Sequence, residues 1–269
     1  MTAFLTHFSF EFRAGIRDKN LLLVNYLLPL GFYFMMALIM PGINPGFLPT
    51  LIPAMVTFSI ISATLLGIPD PIVKAREDGI YRSYKINGVP SISIQTIPAL
   101  TTMLHLVIVT LIITFTAPPL FNAPAPVNWL NYWIIFVAMA FASSGLGVII
   151  GVLATSTRMT VMWSQLIYLP TMMLGGLMIP TNLLPDAVMT ISALLPATQA
   201  MNAFNSLAMG GVALFNPWGS VLALFFSGLI AFGLAIYMFS WDSRNEGRRG
   251  HPIMALLVFL PFVIGIFIF

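Results

Sequence analysis

Few side chains in this sequence could carry chemistry. There are three histidines (His7, His105 and His251), eight Asp/Glu and no cysteine in 269 residues. That excludes thiol catalysis, Cys-ligated zinc and disulfides. The histidines stand far apart, and neither His-Glu-x-x-His nor any other metal-ligand spacing occurs, so no metal and no cofactor are expected. No Walker A spacing is present, and no polar segment is long enough for a nucleotide-binding domain. No serine has the acid and base partners a hydrolase needs, so no catalytic residue is assigned. His105 lies inside an apolar run, where it reads as a hydrogen-bonded packing residue, with a ligand or proton relay as the alternative.

One cluster stands out. Between Lys74 and Lys85, both charge signs mix with Ile80, Tyr81 and Tyr84. Ile80 and Tyr84 are four residues apart and share a helical face, with Tyr81 beside them. A tether between two spans needs charge but no such face; this pattern suits docking into a partner's groove, with the charges fixing register. The alternative is a solvated, positively charged loop. Asn87-Gly88-Val89-Pro90 closes the segment with turn residues.

The elements that must position this cluster follow from composition. Hydrophobic residues make up 59 % and charged residues 7 %, against roughly 25 % charged in a soluble domain. Too little polar material exists to cover a water-soluble globule, so the chain is an integral membrane protein. Its aromatic content and net charge of +3 exclude disorder and nucleic-acid binding. A bilayer core about 30 Å thick needs roughly 20 apolar helical residues. Such runs, continuous as in helices and not alternating as in barrel strands, cover Leu21–Met40, Leu51–Pro69, Ile92–Thr116, Trp129–Ala154, Met159–Ile179, Trp218–Ser240 and Pro252–Phe269. None contains Asp, Glu, Lys or Arg.

The stretch Thr181–Asn216 decides the topology. If it stays on the outer side, all 11 Lys/Arg fall on the cytoplasmic side; if it crosses, Arg244, Arg248 and Arg249 move outside. The positive-inside rule favours the first arrangement. The expectation is a multi-pass protein of the cell (inner or plasma) membrane, with a cytoplasmic N-terminus, six spans, and a seventh that leaves the C-terminus outside. Residues 1–20 form an amphipathic interfacial helix, with Phe4, Leu5, Phe8, Phe12 and Ile16 on one face and Asn20 capping the first span. Residues 21–240 form the bundle, including the loop 70–90 and an outer segment 180–216. Residues 241–269 are a linker and the seventh span. In the outer segment, Gly175, Gly176, Pro180, Pro185 and Pro196 break the chain into pieces. Asp186–Leu195 and Ala200–Ala208 are amphipathic enough to dip back as half-helices. Ser143, Ser144, Gly145, Gly147 and Gly151 give the fourth span a small-residue packing face.

These features, in this order, resemble the membrane subunit of type-2 ABC transporters, the exporter permeases that pair with a separate ATPase. The resemblance runs from about Phe4 to Ser240. It rests on the interfacial helix, Pro29-Leu30 in the first span, and Arg76-Glu77-Asp78-Gly79-Ile80 with Gly88-Val89-Pro90 after the second. It also rests on the glycine-rich stretch followed by Pro180, Leu184-Pro185 and Pro196-Ala197-Thr198 after the fifth. The sequence departs from that pattern at Asp186-Ala187, where a bulky aromatic is common, and at Tyr84-Lys85, where Leu-Leu is. The resemblance implies an all-α, six-span type-2 permease bundle with an interfacial helix, re-entrant outer half-helices and an extra C-terminal span. It implies an ATPase-coupling surface at Arg76, Glu77, Asp78, Gly79, Ile80, Tyr81, Arg82 and Tyr84, and an outer gate at Gly175, Gly176, Pro180, Pro185 and Pro196. The implied partners are a cytoplasmic ABC ATPase, a second copy of this permease or a similar one, and membrane lipid. The implied activity is export of a lipophilic or amphipathic drug, peptide or lipid. The alternatives are a lipid-linked polysaccharide, disfavoured because the first span is not Trp-rich, or a channel or enzyme without an ATPase.

Overall fold

The computed structural model describes residues 2–178, 184–241 and 250–268, and no strand occurs among them. Helix α1 (Thr2–Arg17) is followed by Asp18, whose carboxylate accepts from the Asn20 and Leu21 amides at 2.8 and 3.2 Å and caps α2 (Lys19–Leu22). The cap expected at Asn20 is therefore two residues earlier, because Asp18 can reach the orphan donors of the first turn. A π-turn over Leu23–Leu27 joins α2 to α3 (Leu28–Ile43). Pro29 explains it: proline offers no amide hydrogen, and its ring would strike the carbonyl four residues back, so the helix widens there.

Next come a 3-10 turn (Pro45–Thr50), α4 (Leu51–Gly67) and α5 (Pro69–Glu77). Together they make one rod, Gly46–Glu77, of 32 residues, interrupted at Ile68 where Pro69 follows. The segment read as a loop from Asp70 is thus largely helical. Helix α6 (Ile80–Ile86) leads to α7 (Ser91–Phe121), α8 (Trp129–Leu153) and α9 (Thr157–Leu174). Two short helices, α10 (Asp186–Ser192) and α11 (Pro196–Ala203) with a π-turn at Phe204–Ala208, precede α12 (Pro217–Met238). The chain closes with a 3-10 stretch, Pro252–Phe259, and α13 (Leu260–Ile268).

Among the described residues, five helical segments are long and apolar enough to cross a membrane: Lys19–Ile43, Gly46–Glu77, Ser91–Phe121, Trp129–Leu153 and Pro217–Met238. They correspond to expected spans one to four and six. The fifth, expected over Met159–Ile179, is α9, which ends at Leu174 and falls outside that set. Its Arg158, Ser164, Gln165 and three threonines lower its hydropathy. At about 1.5 Å per residue its 18 residues still reach roughly 27 Å.

Helices α4 and α8 form the centre. Every residue from Leu51 to Leu65 is buried, and the hydroxyls of Ser59, Ser62 and Thr64 turn back onto carbonyls of their own helix. That satisfies polar groups where no water is at hand. Close approach comes from glycine. A Cβ on Gly145 would stand 2.8 Å from Ala231 Cβ on α12, and one on Gly151 would stand 2.9 Å from Ile72 Cβ on α5. One on Gly147 would press on the Thr64 carbonyl of α4. The small-residue face of α8 therefore packs helices on two sides.

Candidate functional site

The charged segment after the second span is an elbow fixed to the bundle. Helix α5 continues the second-span rod, Asp78 and Gly79 turn the chain, and α6 runs on to a second turn at Asn87-Gly88. Gly79 has φ 73° and Gly88 has φ 70°, the left-handed region that a side chain would strain. Arg76 is 6 % exposed. Its guanidinium donates to the Val152 carbonyl at 2.9 Å and to the Ala154 carbonyl. These are orphan acceptors at the C-terminus of α8, where a cation also meets the favourable end of the helix dipole. Within the elbow, Lys74 pairs with Asp70 at 2.6 Å.

The face expected to present Ile80, Tyr81 and Tyr84 together is split. Tyr81 is buried, with its ring centroid 5.6 Å from Phe239 at the end of α12 and 6.3 Å from Tyr84, which is half-buried. Burial, reinforced by the charge of Glu11, pushes the Tyr81 and Tyr84 phenols above their ordinary pKa. The physical reason is amphipathicity in the other sense: on so short a helix the aromatic side anchors it to the bundle. The outward side carries Glu77, Asp78, Gly79, Ile80, Arg82, Lys85 and Ile86, all exposed. Ile86 is 81 % exposed.

At the opposite end of the bundle, the described residues among those expected at an outer gate flank the two short helices. Gly175 caps α9, its amide bonding to the Thr171 carbonyl at 2.9 Å, and a Cβ there would meet Ala197 Cβ of α11 at 2.9 Å. Gly176 has φ 79°. Pro185 is exposed and precedes α10, while Pro196 is buried and begins α11. Pro180, like the basic cluster 242–249, lies outside the described residues. The expected half-helix Asp186–Leu195 is the shorter Asp186–Ser192, and the one expected over Ala200–Ala208 starts four residues earlier, at Pro196, because proline is pre-shaped for a first helical position, and runs through the π-turn to Ala208. All eight residues of α11 are buried. Gly176, Met178, Gly211 and Leu214 line one cavity of about 570 Å³ with Asn44, Phe47 and Asn202.

Amides that the sequence reading did not single out hold this end together. Asn202 accepts from the Leu214 amide at 2.8 Å and donates to the Phe215 carbonyl and Ser220 Oγ at 3.0 and 3.1 Å. Gln199 donates to the Ala193 carbonyl at 2.6 Å, and Asn131 to the Leu207 carbonyl at 3.1 Å. A polar residue inside an apolar, proline-flanked stretch was the available signal. His105 Nδ1 lies 2.6 Å from Tyr26 Oη, and its ring stacks on Phe12 of α1 at 4.9 Å.

The profile of the family described as "ABC-2 type transporter" matches residues 2–209. A protein named "Putative transport permease YvfS" from Bacillus subtilis (strain 168) is 24 % identical over 223 residues, 80 % of this chain and 87 % of that protein. "ABC transporter G family member 20" of Dictyostelium discoideum is 27 % identical over 174 residues, 64 % of this chain but 23 % of that much longer protein. No solved structure matches the chain.

Proposed function

The chain belongs to the ABC-2 type transporter family, and on that premise we propose that it is the permease of an ATP-driven exporter whose separate ATPase docks on the elbow at 77–88. Membership makes it a multi-pass membrane transport protein, and in this family an ABC ATPase is the general partner. The observation that carries the docking site is mechanical. The exposed tip, with Ile80 and Ile86 among charges, continues directly into the second-span rod, and Arg76 ties that rod to the end of α8. A push on the tip would therefore move two central helices together, as a coupling element between two states must. Arg76, Tyr81 and Tyr84 anchor the elbow, while Glu77, Asp78, Ile80 and Arg82 meet the motor.

The cargo is lipophilic or amphipathic, in keeping with a chain that is 59 % hydrophobic and carries 22 Phe and 17 Met, soft side chains that adapt to apolar surfaces. It leaves along an interface with a second permease copy, through an outer gate formed by Gly175, Gly176, Pro180, Pro185 and Pro196. The N-terminus is cytoplasmic, since Lys74, Arg82, Lys85 and Arg158 share the elbow end. The last segment, Pro252–Ile268, serves as an added span. Gly250 lies beside Tyr237, and Gly265 lines a cavity with Gly219, so the segment runs antiparallel along α12. Eight 3-10 residues at about 2.0 Å each stretch it further than α-helix would.

The test is ATP-dependent transport of a fluorescent amphipath in proteoliposomes holding permease and ATPase. Glu77→Ala and Ile86→Glu alter exposed positions, so both proteins insert normally; both lose ATP-driven transport and pull down less ATPase. Transport at the wild-type rate in both variants would remove the elbow as the docking site.

A further inference from the structure

Beneath α1, at the elbow end, lies a cleft of about 390 Å³, within the size range of small-molecule sites. Its walls come from α1, the start of the first span, the end of α4, α5, α6 and α7. Three of its lining side chains carry polar atoms that are buried and have no hydrogen-bond partner: Asn25 Oδ1, Asp70 Oδ1 and His105 Nε2. Asn25 is 4 % exposed and His105 2 %. Burying such groups unpaired costs on the order of 1–3 kcal/mol each, so a cluster of three around one space points to something that occupies it.

Two glycines keep that space open. A Cβ on Gly15 would stand 3.3 Å from His105 Nε2, and one on Gly67 would stand 3.5 Å from Asn25 Oδ1. The charges of the lining select the sign of the occupant. Asp18, Asp70 and Asp78 face Lys74, the sole cationic side chain among the described lining residues, and Lys74 is held on the other oxygen of Asp70. An anion would be repelled. A bare metal ion would leave most of the volume unfilled, and no group of three metal-ligating side chains occurs among the described residues.

We propose that this cleft binds a protonated primary amine carried on an apolar tail. Its three N–H donors match the three unpaired acceptors. Asn25 Oδ1 and Asp70 Oδ1 accept directly. His105 accepts through Nε2 in the tautomer whose Nδ1–H donates to Tyr26 Oη. The tail lies against Leu21, Val24 and Leu66, toward the membrane. Two sources share this chemistry, the ethanolamine headgroup of a phospholipid and a free amphipathic amine. The site needs no ATPase, so its test stands apart from the coupling reading.

Purified permease in phosphatidylcholine nanodiscs is titrated with dodecylamine and with dodecyltrimethylammonium, which bears the same charge but no N–H donor. Calorimetry should give saturable dodecylamine binding at least tenfold tighter than that of the quaternary ion. Asn25→Leu and Gly67→Ala should each weaken it tenfold or more. Gly67→Ala adds one methyl at ordinary contact distances, so its fold is kept; a thermal melt checks both variants. Native mass spectrometry in nanodiscs that also contain phosphatidylethanolamine separates the sources. Retention of that lipid by wild type but not by the variants identifies the headgroup, and amine binding without lipid retention identifies a free amine. Equal affinity for the two probes, or wild-type affinity in Gly67→Ala, would overturn the proposal.

Discussion

The two ends of the bundle are built from different materials. At the elbow end a buried guanidinium binds the Val152 and Ala154 carbonyls, and Gly147 and Gly151 let the second-span rod lie directly on α8. At the other end neutral amides, Asn202 above all, join α11 to the loop at Leu214 and Phe215 and to α12, beside a cavity of about 570 Å³. Charge-assisted bonds are roughly twice as strong as neutral ones, and close glycine contacts tolerate little movement. One end is therefore suited to transmit a displacement and the other to rearrange under it.

The sharpest way to break this contrast is at Arg76. Arg76→Leu removes two charge-assisted bonds and leaves two carbonyls unpaired, at a cost of roughly 3 kcal/mol. The melting temperature in detergent should fall markedly and ATP-driven transport should vanish. Arg76→Lys, with a compact head in place of the fork, should restore part of the stability. A melt unchanged by Arg76→Leu would show that the clamp carries nothing.

A smaller loss, about 1–3 kcal/mol, is expected for Gly147→Val, because overpacking forces α4 and α8 apart. Gly233 on α12 supplies the control: nothing lies within 4 Å of a Cβ there, so Gly233→Ala should be neutral or slightly stabilising. Equal melts for the two variants would refute the close-packing account.

Smallest is Asn202→Leu, which loses three neutral hydrogen bonds, about 1–2 kcal/mol. The effect should be local. Hydrogen exchange should quicken over 196–220 and stay unchanged in α5 and α6. Exchange that quickens equally at both ends would mean the two ends are one cooperative unit.

How much of this was legible in the sequence differs by region. Apolar runs bounded by charge located Trp129–Leu153 and Pro217–Met238 to within a residue or two, because span length follows from bilayer thickness and rise per residue. Gly147 and Gly151 could be read as a packing face, since small side chains in an apolar helix have little else to do. The elbow was legible as a place and not as a surface. Arg76 and Tyr81 stand among exposed charges in the sequence, and nothing local distinguishes them from Glu77 and Arg82.

By itself, the sequence determined that this chain lives in a membrane, roughly where it crosses, and that its charges gather away from the apolar runs; these depend on solvation, which acts residue by residue. Only the tertiary structure decided which charges face outward. Arg76 turns inward because the end of α8 offers it two carbonyls, brought there by helix packing from 76 and 78 residues away in the chain. The amine cleft has the same origin: Asn25, Asp70 and His105 lie far apart in sequence and share one space because α1, the first two spans and α7 close around it.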